Sequence, residues 1–248
     1  MLMKKVKTMS NTVTDINKLK EIALNFLDLD PTPVEKYPFI VIHPYFTDRI
    51  MAKYKDDGQG IESFDILECP DKFEHLKKHI RDSITNGDID TIFARMLPKY
   101  YLTFLKFSKS YMSKNDFERY LAYSWVMAEN PNQDINVDIS TLIKWFRSAD
   151  RKNIMEDDEL EYYNSLPDTV TIYRGIAIGR AEQNGLSWTC NRKTAEWFAN
   201  RFNIGDEKGY VLKGVIDKKD IFAYFNGRDE DEICCNSHKV RDIEIEKL

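Results

Sequence analysis

Three groups of residues in the last third of the chain have side chains suited to binding a charged ligand and acting on it. The first is Arg174, which ends an alternating, β-branched run and is therefore expected on a strand. A guanidinium buried in a sheet is costly unless it is paired, and its planar fork suits phosphate oxygens. Gly175 beside it would let a ligand approach the backbone closely. A structural salt bridge to a carboxylate is the alternative interpretation of Arg174.

The second group is a pair of hydroxyls, Ser187 and Thr189, which lie two positions apart on a short predicted strand. Side chains at alternate positions of a strand face the same side, so both hydroxyls could hydrogen-bond a catalytic carboxylate and hold it in place. The alternative is that they are ordinary polar positions on a strand.

The third group is a pair of carboxylates, Glu230 and Glu232, on a strand predicted from residue 230 to residue 235. Two like charges on one β-face disfavour each other, so the arrangement needs a reason. A shared task would supply one: one carboxylate stabilises positive charge developing on a sugar while the other orients an incoming nucleophile. A solvated acidic edge is the alternative, because Asp229 and Asp231 continue the acidic run.

The elements that must position these residues fall into two regions. Residues 1–165 are mainly helical in pattern, with a polar, glycine-ended stretch from Thr47 to Gly60, and have no assigned role. Residues 166–248 are β-rich, and the two regions are expected to pack as one unit of α+β class. The predicted strands are Val170–Arg174, Ser187–Thr189, Tyr210–Ile216, Ile221–Phe225, Glu230–Cys235 and Val240–Ile245, with a helix from Lys193 to Phe202.

Composition excludes several classes of function. The net charge of −5 gives no bulk attraction to nucleic acid, and no apolar run is long enough to span a bilayer. Without a signal-like N-terminus, the protein is expected to be cytoplasmic, with its four cysteines reduced. His75 and His79 have the spacing of a metal pair on a helix, but a plain surface helix is favoured and no metal is expected. Neither a P-loop nor GxGxxG is present, so a nucleotide would not be held in Rossmann fashion.

Taken together, Tyr-Arg-Gly, Ser-x-Thr and Glu-x-Glu, in that order on successive strands, resemble the mono-ADP-ribosyltransferases of the Arg–Ser–Glu class. This class includes the C3-like exoenzymes, the enzymatic components of binary actin-modifying toxins and the arginine-specific transferases. The resemblance covers about the last 80 residues. It implies a split β-sandwich against which the helical region packs, with NAD as co-substrate. Phe198 and Arg201 match, in spacing, residues that stack on nicotinamide and touch phosphate in the binary-toxin enzymes.

The resemblance also implies a role for each residue. Arg174, with Gly175 and the Ser187–Thr189 strand, would bind the phosphates and the nicotinamide-side ribose, and Ser187 would position Glu232. Glu232 would hydrogen-bond the ribose 2′-hydroxyl and stabilise the oxocarbenium-like transition state as nicotinamide leaves, while Glu230 would orient or deprotonate the acceptor. Contact with the target is implied for the loop that precedes the pair, with the residues Tyr224, Phe225, Asn226 and Arg228.

The expected function is therefore transfer of ADP-ribose to an intracellular macromolecule, either a protein side chain, with arginine favoured, or a nucleic acid. A toxin or a phage-conflict effector would fit such an enzyme, and a toxin would need a neutralising protein partner. The alternative is a catalytically inactive relative that keeps the fold as a binding module. Two features depart from the family: Ser187 follows Arg174 by only 13 positions, and the bulky Trp188 occupies the middle of the serine motif.

Overall fold

The computed structural model describes residues 12–55, 58–177, 185–201 and 208–248. The chain divides into two compact units, one that ends at Phe117 and one that runs from Glu118 to Leu248. Each unit combines helices with antiparallel strands, which confirms the α+β class. Helices between residues 139 and 165 belong to the second unit, together with the β-rich segment.

The first unit buries the apolar faces of four helices and carries two β-hairpins. Its helices form where the sequence pattern predicts them: the Asp15 carboxylate caps the first helix by accepting from the Lys18 amide, and Pro70 begins the second. The elements of this unit are α1 (Ile16–Leu27), β1 (Thr32–Val34), β2 (Tyr37–Ile42), β3 (Ile50–Tyr54), β4 (Ile61–Asp65), α2 (Pro70–Asn86), α3 (Ile89–Arg95), α4 (Tyr101–Ser108) and the start of α5 (Lys114–Met127).

The polar stretch from Thr47 to Gly60 is not the loop that its composition suggests. It contributes β3, which pairs antiparallel with β4 over its whole length. Lys53 lies opposite Glu62 across this hairpin and forms an ion pair with it, beside the apolar pair of Met51 with Phe64. Composition alone therefore missed a hairpin whose strands are held by main-chain bonds and charge pairs.

His43 is the most deeply buried histidine of the first unit. It is 1% exposed, its Nε2 lies 3.0 Å from the Leu29 carbonyl oxygen, and its Nδ1 accepts from the Tyr45 amide at 3.1 Å. The Nε2 atom is therefore the protonated one in the neutral ring. Removal from water lowers the pKa of His43 to about 4, and the nearby Lys77 ammonium adds to this effect.

We expect the first unit to lose stability as the pH falls from 6.5 to 4. The unfolded chain takes up the His43 proton near pH 6.5 and the folded chain only near pH 4, so acid favours the unfolded state across this window. Relative to a His43→Gln variant, which cannot titrate there, the wild-type unfolding free energy should fall by about 2 kcal/mol. Urea unfolding at a series of pH values measures this difference. A His79→Gln variant, which changes an exposed helix position, is the control; identical profiles for both variants would contradict the assignment.

The second unit places helices on a six-stranded antiparallel sheet in the order β10-β7-β5-β6-β9-β8. The sequence predicted a strand at each of these six places, from runs that alternate apolar and polar residues or, like Ile221–Phe225, are apolar throughout. The elements of this unit are the end of α5, α6 (Ile139–Ser148), α7 (Arg151–Ile154), α8 (Asp157–Ser165), β5 (Thr169–Ile176), β6 (Ser187–Thr189), α9 (Arg192–Asn200), β7 (Tyr210–Asp217), β8 (Ile221–Phe225), β9 (Glu232–Cys235) and β10 (Arg241–Lys247). Phe202, the predicted end of the α9 helix, lies outside the described residues.

The sheet is weakest between β5 and β6. These strands share one register pair, Tyr173 with Thr189, whereas β5 pairs with β7 from Thr169 to Ile176. One side, β10-β7-β5, is thus joined to the other, β6-β9-β8, by a very short ladder. Strands that part in this way leave room for a cleft between their ends.

Candidate functional site

A pocket of about 150 Å³ opens where β5 and β6 part. Its walls come from both strands, from α9, from the segment before β9 and from the loop after α5. Every residue that the sequence nominated for the site lines it: Arg174, Gly175, Ser187, Thr189, Phe198, Arg201, Glu230 and Glu232. The fold therefore brings together side chains that are spread over nearly 60 positions of the chain.

Arg174 bridges the gap between the two parting strands. Its Nη1 donates a hydrogen bond to the main-chain carbonyl of Ser187 on β6, and its guanidinium lies directly against the Cα of Gly185. A side chain at position 185 would collide with this guanidinium, so the glycine leaves the arginine its place in the pocket wall. The Arg174 side chain lines the pocket at this point.

The absence of a side chain at Gly175 makes room for α9, whereas the sequence suggested room for a ligand. A Cβ at this position would meet the main chain of α9, with the Ala199 amide nitrogen 2.6 Å away, and the Phe198 Cβ at 2.9 Å. The missing side chain thus allows β5 and α9 to approach closely. Its contribution to the site is to seat Phe198 at the pocket wall, in addition to lining the pocket itself.

Glu232 is the most deeply buried ionisable side chain that lines the pocket. It is 5% exposed, accepts a hydrogen bond from Trp125 Nε1 at 2.9 Å and is also bonded by the Ser187 hydroxyl. Burial raises the pKa of Glu232 above its ordinary value, and the two donors oppose this effect by favouring the carboxylate. A carboxyl group with a raised pKa, held by two fixed donors at a pocket wall, is typical of a catalytic group.

The two hydroxyls of β6 have separate tasks. Ser187 bonds the Glu232 carboxylate, as the sequence predicted. Thr189 instead donates to the main-chain carbonyl of Glu230 at 2.8 Å and accepts from the Asn191 amide at 3.0 Å. Thr189 therefore fixes the backbone around the two glutamates, and its described hydrogen bonds do not include the Glu232 carboxyl group that the sequence suggested as its partner.

Glu230 does not lie on a strand, which corrects the prediction that it shares a β-face with Glu232. The strand β9 begins at Glu232, and the residues on either side of Glu230 have left-handed backbone, with φ of 55° at Asp229 and 48° at Asp231. The turn nevertheless aims both glutamates into the pocket. Glu230 is paired there with Arg228, whose Nη2 lies 2.9 Å from Glu230 Oε2.

Asp231 holds this turn from the side opposite the pocket. Its carboxylate accepts from the Tyr224 hydroxyl at 2.8 Å and from Asn191 Nδ2 at 3.2 Å. Its main-chain amide donates to Asn226 Oδ1 at 3.1 Å, and its carbonyl accepts from the Cys190 amide at 3.1 Å. Four hydrogen bonds on one strained residue fix the directions of the glutamates that flank it.

Replacing Asp231 by alanine should lower the unfolding free energy by about 2 kcal/mol, because it removes two side-chain bonds and leaves a less tolerant residue at positive φ. The matched control is Asp229→Ala, which changes an exposed residue of similar backbone conformation and should cost about half as much. Thermal or urea unfolding of both variants measures the difference. Equal losses would show that the Asp231 carboxylate adds nothing beyond its backbone conformation.

The rim of the pocket is formed by α9. Arg201 lies over the ring of Trp197 at 5.0 Å and is 3.5 Å from Glu129, while Phe198 packs edge-on against Trp197 with centroids 5.0 Å apart. Trp197 itself is 55% exposed. Arg201 and Phe198 line the pocket, so this side offers a guanidinium and one aromatic ring, which suit a ligand with both phosphate and ring systems.

Sequence reasoning missed two contributors to the site. Trp125 on α5 donates to Glu232, and the loop from Glu129 to Gln133 lines the pocket, although neither belongs to the motifs that the sequence indicates. Asn132 of this loop accepts from the Leu186 amide at 2.7 Å. The one signal available in the sequence was an Asn-rich turn directly after an aromatic helix.

Two residues implied to contact a target do not face solvent. Tyr224 and Phe225 on β8 are 4% and 3% exposed, and Tyr224 stacks on Tyr162 with centroids 4.1 Å apart. The exposed part of this segment is Gly227 to Asp229, which leaves Arg228 as the side chain that can meet a partner at the pocket.

The other candidates from the sequence gain no support. His75 and His79 meet edge to face, with ring centroids 5.3 Å apart, on the exposed face of α2, and the described residues contain no group of three metal-binding side chains. Within the same described ranges, all four cysteines are free thiols and no helix has the length and apolarity to cross a bilayer.

Comparison of the chain with protein-family models, with curated proteins and with solved structures finds no match.

Proposed function

We propose that this protein is an NAD-dependent mono-ADP-ribosyltransferase whose acceptor is a macromolecule. The observation that carries the proposal is the surroundings of Glu232: a buried carboxylate, held by Ser187 and Trp125, shares a pocket with the guanidinium of Arg174. The single register pair between β5 and β6, at the centre of the six-stranded sheet, supports a sheet split in the manner of the ADP-ribosyltransferase fold.

The charges of the pocket suit a dinucleotide. Arg174 and Arg201 supply guanidinium groups for the pyrophosphate, and the ring of Phe198 supplies an apolar face for the nicotinamide. The nicotinamide ring of NAD is cationic, so its arrival beside Glu232 favours the ionised form of this carboxyl. Substrate binding thus offsets the burial that raises the pKa of Glu232 in the free protein.

Glu232 then acts on the bond between ribose and nicotinamide. As this bond breaks, its electron pair leaves with neutral nicotinamide and positive charge develops on the ribose. The fixed carboxylate stabilises that charge, and it needs little reorganisation because Trp125 and Ser187 already hold it. Glu230, which also faces the pocket, orients the acceptor group and takes its proton.

The test is release of nicotinamide from NAD by the purified protein, followed by chromatography. Release that depends on the protein supports the proposal. Binding of NAD without release would favour the inactive binding module, and absence of binding would remove both interpretations. The acceptor class is found by incubating labelled NAD with cell lysate and digesting with protease or nuclease. Label that resists nuclease and is lost on proteolysis would assign a protein acceptor.

A further inference from the structure

Arg228 lies where an acceptor would have to lie. Its guanidinium is 2.9 Å from Glu230, the carboxylate assigned to the acceptor, and its side chain lines the same pocket as Glu232. The side chain is 41% exposed, so it approaches the pocket from the solvent side. The positive charge of Arg228 also acts on Glu232 and opposes the rise in the pKa of that group.

The turn that carries Arg228 is fixed by hydrogen bonds, which hold the backbone of Arg228 in one position beside the pocket. Asp229 N donates to the Asn226 carbonyl at 2.9 Å, and the Asn226 amide donates to Glu159 Oε1 at 2.7 Å. Asn226 Oδ1 also accepts from the Asp231 amide, so both ends of the turn are bonded to fixed structure. An anchored turn presents its arginine at a high effective concentration to the pocket.

We propose that Arg228 is an acceptor of the protein's own reaction and occupies the acceptor position of the free protein. The inference rests on the proposed function. A guanidinium nitrogen of Arg228 forms a bond to C1′ of the nicotinamide-side ribose as the bond to nicotinamide breaks. Nicotinamide leaves with the electron pair of that bond, and the attacking nitrogen loses one proton to Glu230. NAD and arginine thus give ADP-ribosyl-arginine, nicotinamide and a proton.

The strength of the Arg228–Glu230 ion pair determines whether an acceptor from another molecule can displace Arg228. A partly exposed ion pair is worth about 0–1 kcal/mol, so it is too weak to exclude an acceptor from another molecule. Modification has a larger consequence, because it removes the free guanidinium and leaves a bulky, doubly anionic group at the pocket mouth. Self-modification should therefore block access of NAD to the pocket, and nicotinamide release should slow as the modification proceeds.

The experiment is to incubate the full-length protein with NAD and to map the modified residue by peptide mass spectrometry, with nicotinamide release measured in the same samples. We expect one ADP-ribose on Arg228, at a rate constant that does not change with protein concentration. The Arg228→Lys variant should lose this mark. The control is Arg192→Lys on α9, which pairs with Glu196 and Glu246 and should leave the mark unchanged.

The outcomes separate the inference from the function on which it rests. Nicotinamide release with no mark on Arg228, or with the mark on another arginine, overturns the inference and leaves the proposed function in place. A mark on Arg228 whose rate constant rises with protein concentration overturns the intramolecular step. Absence of nicotinamide release from the wild-type protein overturns the proposed function and the inference with it.

Discussion

Replacing Glu232 by glutamine is expected to slow nicotinamide release from NAD by roughly 10²- to 10³-fold, because the amide cannot supply the negative charge that stabilises the developing cation. The side chains have the same shape, so NAD should still bind. Release of nicotinamide and NAD binding by calorimetry measure the two effects separately. The control is Glu244→Gln on β10, where a carboxylate pairs with Lys213 at the surface and both quantities should stay the same. A Glu232→Gln variant with wild-type turnover would remove this residue from the mechanism.

The same substitution should make the protein more stable, by about 1 kcal/mol or more at neutral pH, since it removes a buried carboxylate. The sign follows from the raised pKa. The unfolded chain releases the Glu232 proton near pH 4.5 and the folded chain only at higher pH, so wild-type stability falls as the pH rises above 4.5. The advantage of the variant in melting temperature should therefore widen as the pH rises above 4.5, until the carboxyl of the folded protein is ionised. A variant that melts below the wild type throughout this range would contradict the burial argument.

A gain in stability together with a loss of turnover would separate catalysis from folding. A residue kept for packing shows the opposite pattern, because its replacement leaves a cavity or an unpaired group. Glu232 accepts bonds from Trp125 and Ser187, and glutamine can still accept them through its amide oxygen. The comparison therefore isolates the charge, which is the property that the mechanism uses.

The β-rich part of the fold could be predicted from the sequence because its strands are short runs that are β-branched, aromatic or alternating. Composition failed at β3, which lies in a mostly polar stretch and pairs Lys53 with Glu62 across its hairpin. It also failed at Glu230, where two residues with positive φ turn the chain out of the expected strand. Neither backbone conformation nor cross-strand charge pairing can be read from the alternation of apolar residues.

The candidate site was predictable only for the residues that belong to a local motif. Arg174, Ser187 and Glu232 each have a recognisable neighbourhood in the sequence, and all three line the pocket. Trp125 has none, because 107 positions separate it from Glu232 and its other surroundings are those of an ordinary core residue. Only the tertiary structure can show that a buried indole donates its hydrogen bond to a carboxylate.

Trp125→Phe is the prediction that tests this missed residue. Removing the indole N–H leaves Glu232 with one fewer donor, and a hydrogen bond to a charged group contributes about 1.5–3 kcal/mol. We therefore expect kcat/KM for nicotinamide release to fall on the order of 10- to 100-fold. In the wild-type protein, the bond from Trp125 stabilises the ionised form of Glu232. Its loss should therefore raise the pKa of Glu232 and move the acid limb of the pH–rate profile to higher pH.

The pH profile distinguishes positioning from packing. Phenylalanine keeps an aromatic ring against Phe146, whose centroid lies 5.2 Å from that of Trp125, so the variant should fold. Trp145→Phe, which trims another buried indole of the same unit, should reduce stability without moving the acid limb. If Trp125→Phe also lowers the melting temperature while leaving the acid limb in place, the indole serves the core alone. A shifted limb in Trp125→Phe only would assign to α5 the task of holding the carboxylate that the reaction uses.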